Sequence, residues 1–289
     1  VRSIAEILSE RPCLSFEVFP PKPTDDEDMR GIFSTLSALA SAEPDFVSVT
    51  YSPAGRNSDR ALSIASFAAD RGMTPLSHFT AVGYGREEAA AMLAALRERG
   101  LRNVLALRGD LPPGGEVRWK DFRHASDMIE CIRGLDPGIC VGAACYPEGH
   151  AECADPALDI ERTRRKEELG ASFFISQLFF DNDIFFSFVE RARAAGLRSP
   201  IVAGVMPVLR AANARRIIEL TGCSIPPALA ALFERHGGDP VAMEDAGMDY
   251  AAAQIDGLRA AGVDGIHVYT MNRAAQALEI LRRAGIAAR

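Results

Sequence analysis

The chain has 289 residues, with 32 Lys and Arg against 39 Asp and Glu, a formal net charge of −7. Charged residues make up 25% and hydrophobic residues 48%, ordinary globular values that exclude a disordered, fibrous or coiled-coil chain. An acidic chain is a poor general nucleic-acid binder, and no apolar stretch approaches the roughly 18 residues that cross a membrane.

The opening segment VRSIAEILSERP mixes acids into its apolar residues and is not a secretory signal. A strand follows at once, CLSFEVF (13–19). Similar apolar, β-branched or aromatic runs recur as FVSVTY (46–51), PLSHFTA (75–81), NVLALRG (103–109), ICVGAACY (139–146), SFFISQLFF (172–180), PIVAGVM (200–206) and GIHVYT (265–270). Between most of them lie segments of helical period, such as Glu87 to Arg99 and Ile184 to Ala195. Gly72, Gly100, Gly170, Gly196 and Gly262 sit where helices should end. The gap from 207 to 264 must hold extra helices, one of them starting at Pro226-Pro227. Eight strands alternating with helices predict a parallel sheet, and eight units in a chain of this length favour a closed (β/α)8 TIM barrel over a doubly wound open sheet. The whole of 1–289 reads as one such domain. Six cysteines, at 13, 131, 140, 145, 153 and 223, form no C-x-x-C pair and read as reduced thiols of a cytoplasmic protein.

In a barrel of this kind chemistry gathers at the carboxyl ends of the strands. There the sequence places Glu17, Thr50 with Tyr51, His78, Arg108-Gly109-Asp110, Tyr146-Pro147-Glu148 with His150, Gln177 with Asp181, and Tyr269 with Arg273. Glu17 interrupts an apolar strand. Alternation puts it on one face with Ser15 and Phe19, opposite Leu14, Phe16 and Val18, so it should point into the barrel. Desolvation there would raise its pKa and suit it to general-acid work; a structural glutamate paired with a buried arginine would read the same way. Gly109 permits close backbone approach, Arg108 can bind phosphate, and Asp110 can accept hydrogen bonds from a heterocycle. Arg165 and Lys166, in the basic run 162–166, can meet a pyrophosphate or form a solvated helix face. The amide of Gln177 can address a flat heterocycle. No Rossmann fingerprint, P-loop, H-E-x-x-H or G-x-S-x-G motif is present, and the five histidines are scattered, so no metal site is signalled.

The strings SFEVFPPK (15–22), VTY (49–51), HFT (78–80), LALRGDLPPG (105–114), CYPEGH (145–150), RRKEELGASFFISQLFFD (164–181) and HVYTMNRA (267–274) run in one order over nearly the whole chain. Together they resemble the methylenetetrahydrofolate reductase family, in its short bacterial form. The resemblance implies a TIM barrel that binds FAD and reduces 5,10-methylenetetrahydrofolate to 5-methyltetrahydrofolate. NADH or NADPH would be the donor, in ping-pong exchange at one cleft, within one-carbon metabolism and methionine biosynthesis. It implies Glu17 as general acid and Asp110 as a charge near flavin and pterin, both catalytic. Gln177, Tyr269 and Arg273 would contact substrate, with Arg273 toward the glutamate tail. Thr50, His78, Leu107, Arg108, Gly109, Asp110, Ala144, Tyr146, His150, Asp159, Arg165 and Lys166 match FAD-contact positions.

Four places depart from the family pattern: Arg162 for an asparagine, His124 for a flavin-contacting tyrosine, Ser52-Pro53-Ala54 for Gly-Ala-Asn, and Ile217 for a substrate-packing phenylalanine. The direction of methyl flow is open. The alternatives are a pterin-binding methyltransferase, a flavin-free reductase and a partner-dependent reductase subunit. The expected partners are a folate substrate and further copies of the chain in a homo-oligomer, with no nucleic acid and no membrane.

Overall fold

Eight parallel strands close on themselves in sequence order: β1 (Cys13–Val18), β2 (Phe46–Val49), β3 (Thr74–Thr80), β4 (Asn103–Leu107), β5 (Cys140–Cys145), β6 (Phe173–Ser176), β7 (Ile201–Val205) and β8 (Gly265–Tyr269). This is the TIM barrel expected from the sequence. The computed structural model describes residues 1–21, 28–50, 58–109 and 119–286, without the side chains at 28, 58, 213–215, 219 and 220. Tyr51, Ser52–Ala54 and Asp110 lie outside the described residues.

The helices are α1 (Ile4–Glu10), α2 (Asp28–Leu39), α3 (Ser58–Ala69), α4 (Arg86–Glu98), α5 (Ala125–Leu135), α6 (Pro156–Glu168), α7 (Asn182–Ala194), α8 (Ala211–Thr221), α9 (Pro227–His236), α10 (Pro240–Ala260) and α11 (Ala274–Arg283). The gap after β7 therefore holds three helices, and Pro227 opens one of them. Asp-Pro starts α6 and α10, where Asp155 and Asp239 each accept backbone N–H groups of the first turn. Asp181 caps α7, its side chain accepting the Asp183 N–H. Gly72, Gly100, Gly170, Gly196 and Gly262 all take positive φ after helices, as a helix end requires.

Alternation along each strand divides the core in two. Phe16, Val18, Val47, Val49, Val104, Ala106, Val141 and Phe174 face the helices. Phe46, Leu76, Leu105, Phe173, Ile175 and Val202 fill the barrel interior. Gly142 is part of that packing, since a Cβ there would lie 2.4 Å from the Phe173 ring. The sequence reading missed α1, which closes the amino end of the barrel with Ile4, Ile7 and Leu8. Its signal is Ser3-x-x-Glu6, where the Glu6 carboxylate accepts the Ser3 N–H at 3.0 Å. Asn103, fully buried at the start of β4, holds the plug: its Oδ1 accepts the Ile4 N–H and its Nδ2 donates to the Arg2 carbonyl, both at 2.9 Å.

Candidate active site

Register sets the inner positions at the carboxyl end. Glu17 pairs with Ser48 on β2 and Tyr269 on β8, while Ser15 pairs with Phe46 and His267. Glu17 therefore points inward with Ser15, as alternation predicts. Its side chain keeps 22% exposure, and Oε2 lies 3.7 Å from His78 Nε2 and 3.9 Å from His267 Nε2. Among the described residues its ion-pair neighbours are these two imidazoles and not an arginine. His78 Nε2 is also 2.5 Å from Ser48 Oγ. Burial pushes the His78 pKa down to about 4; the nearby Glu17 opposes that shift and His267 adds to it. His78 is therefore neutral at neutral pH and brings Glu17 no positive charge. On the other side, His267 Nδ1 is 2.8 Å from Ser15 Oγ, and its ring stacks at 5.9 Å on Phe46.

The β8 end supports this carboxylate. Thr270 donates its hydroxyl to the Glu17 carbonyl at 2.6 Å. Asn272 accepts from the Phe19 N–H at 3.0 Å and donates to the Phe19 carbonyl at 2.9 Å, locking the loop after β1 to the loop after β8. Met271 and Asn272 reach this arrangement in left-handed backbone, φ 52° and 56°. The Tyr269 hydroxyl donates to the Ser176 carbonyl at 2.8 Å, and burial, helped by Glu17, pushes its pKa well above the usual value. It stays a phenol. Gln177, half-buried, accepts the Leu178 N–H on Oε1 at 3.0 Å. Arg273 sits at the rim, 34% exposed, its guanidinium 3.8 Å from Glu244. Ile217 packs in an apolar cluster with Leu178, Met206 and Tyr269.

A cavity of about 350 Å³ opens beside this mouth, behind the carboxyl ends of β4 and β5 and against α6. Leu107, Arg108, Ala144, Tyr146, His150, Asp159, Arg165 and Lys166, all singled out from the sequence, line it. Arg108 donates to Glu152 at 2.5 Å, yet its Nε is buried without a partner. Lys166 donates to the Ala144 carbonyl at 2.8 Å and lies 5.5 Å over the Tyr146 ring; burial lowers its pKa. Burial raises the Asp159 carboxyl, against the pull of Lys166 and His150. His150 meets Tyr146 edge-on at 4.7 Å and accepts the Glu152 N–H on Nδ1, which puts its proton on Nε2 when neutral; burial lowers its pKa. Gly109, at φ 86°, passes so close to β3 that a Cβ would sit 3.0 Å from Thr80 Cβ. Thr80 Oγ1 is buried there without a partner.

Thr50 lies at the end of β2, donating its N–H to the Val18 carbonyl at 3.0 Å, and His78 stands beside Glu17; neither lines the cavity. The departures His124 and Arg162 both do. Ser48, His267, Asn272 and Glu152 were not singled out from the sequence. For Ser48 and His267 the signal was available, since alternation puts them on the inner face with Glu17 and Tyr269. Among the described residues no group of three or more His, Cys, Asp or Glu is placed to hold a metal ion, and no helix is long and apolar enough to cross a membrane.

The profile described as methylenetetrahydrofolate reductase matches residues 1–285. The chain belongs to that family. It is 31% identical over 286 residues to the 5,10-methylenetetrahydrofolate reductase of Escherichia coli K12, covering 99% of this chain and 94% of that one. It is 31% identical to methylenetetrahydrofolate reductase (NADH) 1 of Arabidopsis thaliana and 32% to the probable NADPH enzyme of Caenorhabditis elegans, spanning 50% and 42% of their lengths. A Clostridium thermocellum protein described as binding two copies of 5-methyl-5,6,7,8-tetrahydrofolic acid shares the fold at TM-score 0.71 and 13% identity, over 97% of both chains.

Proposed function

We propose that this chain reduces 5,10-methylenetetrahydrofolate to 5-methyltetrahydrofolate with NADH or NADPH, using FAD in a ping-pong reaction. The observation that carries the reading is an inward carboxylate, Glu17, beside a cavity whose basic side chains outnumber its acids. The residues fit a flavin dinucleotide on their own chemistry. Arg108 keeps a buried, unpartnered donor at the cavity, and a volume of about 350 Å³ lies in the range of cofactor and ligand sites. Arg108, Arg165 and Lys166 would meet the diphosphate, while Leu107, Ala144, Tyr146 and His150 would form the walls. When bound, FAD supplies a hydride acceptor for the nicotinamide and a hydride donor for the folate methylene carbon.

The protein's part is the proton. Glu17 gives its proton to N10 of the folate as the bond from N10 to the methylene carbon breaks. That leaves an iminium at N5 for the hydride, and the product carries a methyl group on N5. His78, held neutral by burial, stands 3.7 Å from this carboxylate. Tyr269, kept as a phenol, and the Gln177 carboxamide offer hydrogen bonds to a flat ring at the same mouth. Arg273 at the rim suits the glutamate tail. Donor and folate take turns at this one opening. All six cysteines are free thiols, five of them buried, which supports a reducing cytoplasm.

The test is the visible spectrum of the purified protein, made anaerobic. Flavin bands that bleach with NADH or NADPH and return with methylenetetrahydrofolate are the expected result. A protein that takes up no FAD, or whose reduced flavin ignores the folate, would end this reading.

A further inference from the structure

The barrel closes between β1 and β8, and the last residues paired across that seam are Glu17 and Tyr269. Beyond them the two chains part. On the β8 side Met271 and Asn272 turn away in left-handed backbone, φ 52° and 56°, which a strand cannot use. On the β1 side Phe19 is followed by Pro20 and Pro21, neither of which has an N–H to donate. A ladder that ended there would leave the segment after Glu17 held from the β2 side alone, where the Thr50 N–H meets the Val18 carbonyl at 3.0 Å.

Asn272 replaces the missing strand. Its carboxamide offers the same groups as a peptide, a carbonyl acceptor and N–H donors. Oδ1 accepts the Phe19 N–H at 3.0 Å and Nδ2 donates to the Phe19 carbonyl at 2.9 Å, from 253 positions away in the chain. The Asn272 backbone N–H donates to Thr270 Oγ1 at 3.1 Å, and that hydroxyl donates to the Glu17 carbonyl at 2.6 Å. Asparagine suits both halves of this task, since it tolerates left-handed backbone and carries an amide. Glycine would supply the first alone. The Glu17 carboxylate depends on its backbone for its place: His78 Nε2 and His267 Nε2 stand 3.7 and 3.9 Å from Oε2, beyond hydrogen-bond reach.

We propose that Asn272 is a positioning residue for the Glu17 carboxylate, its amide completing the β1–β8 seam so that the acid is held in one place before the substrate. The proposal rests on the reading that Glu17 protonates the folate.

Anaerobic stopped-flow measurement of the flavin-loaded full chain tests this through the two half-reactions of the parent, Asn272→Gly, Glu17→Gln and the double variant. Asn272→Gly keeps the left-handed turn and removes the amide, and the thermal midpoint checks that it folds. Flavin reduction by NAD(P)H should stay at the parent rate, while reoxidation by methylenetetrahydrofolate should slow roughly 10–100-fold, the scale of a displaced reacting group. With Glu17→Gln in place, removing the amide should slow the folate step no further, because Asn272 acts through that carboxylate. Hydrogen exchange at the Phe19 amide, read without turnover, should speed up in Asn272→Gly. Losses that multiply in the double variant would overturn the proposal, as would an Asn272→Gly protein whose folate step or Phe19 exchange matches the parent's. Asn272→Asp keeps an acceptor for the Phe19 N–H and lacks the donor, and it carries the same cycle if the glycine variant does not fold. The reading and the proposal fail differently. If Glu17→Gln leaves the folate step at the parent rate, the acid reading falls and the proposal with it. If Glu17→Gln is slow and Asn272→Gly is not, the proposal alone falls.

Discussion

At the amino end of the barrel the inner positions hold Cys13, Phe46, Leu76, Leu105 and Cys140 over the α1 plug. Two to four residues further along β1, β2 and β3 the inner positions hold Glu17, Ser48 and His78, with Tyr269 beside Glu17 on β8. The amino end pairs its buried polar group completely, with both ends of the Asn103 amide satisfied. The carboxyl end leaves Thr80 Oγ1 and Arg108 Nε buried without partners. An unmet buried donor or acceptor costs about 1–3 kcal/mol, so the carboxyl end retains groups that weaken the fold unless a ligand meets them. One end satisfies its buried amide within the protein and the other leaves polar groups open to a ligand. Mutations at the two ends should therefore separate stability from activity.

The largest expected effect is at Glu17. Glu17→Gln keeps the shape and removes the proton, so methylenetetrahydrofolate turnover should fall by roughly 10²–10⁴-fold, the usual worth of a general acid. Reduction by NAD(P)H should be little changed, and the thermal midpoint should not drop. Stopped-flow measurement of the two half-reactions decides this. An equal loss in both would remove the acid role from Glu17.

Acid should weaken the carboxyl end next. The folded-state pKa of His78 is lowered from 6.5 to about 4 by burial. The unfolded chain therefore binds a proton below pH 6.5 that the folded chain refuses. Stability is fully present above pH 6.5 and is lost as pH falls toward 4, by up to about 3 kcal/mol from this group. Urea midpoints measured across that window should drop for the parent and drop less for His78→Gln. Identical slopes would place the acid sensitivity elsewhere.

The sequence revealed the end proposed for chemistry better than the end that confers stability. Glu17 stood out because a carboxylate in an apolar strand has few reasons to be there, and alternation gave its direction. The residues around the cavity were legible through the order of their motifs. The fold followed from eight apolar runs and the glycines that end the helices. What stayed hidden was non-local or mute in type. Asn103 begins a strand like any polar residue, and only the closed barrel brings it under Ile4 and Arg2, about 100 positions away in the chain. Alternation marks Ser48 and His267 as inner-face residues, but only the register between strands sets them around one carboxylate.

Asn103→Ala tests the amino end directly. It should destabilise the protein by about 2–3 kcal/mol, because the Ile4 N–H and the Arg2 carbonyl lose their partner and the first is buried. Calorimetric unfolding should show the loss, while the kcat of the folded protein stays at the parent value. A fall in kcat at temperatures well below the midpoint would show that the two ends are coupled.

The smallest effect sharpens the same point. Arg2 and Glu10 form an ion pair at the amino end, with side chains 53% and 56% exposed. Such pairs are screened by water and salt and contribute about 0–1 kcal/mol. Glu10→Gln should therefore shift the unfolding free energy by less than about 0.5 kcal/mol, far below the loss at Asn103, although both residues help place the same helix. If the two variants proved equal, the plug would be held by its surface charges. The expected gap assigns its stability to the buried amide and to Ile4, Ile7 and Leu8.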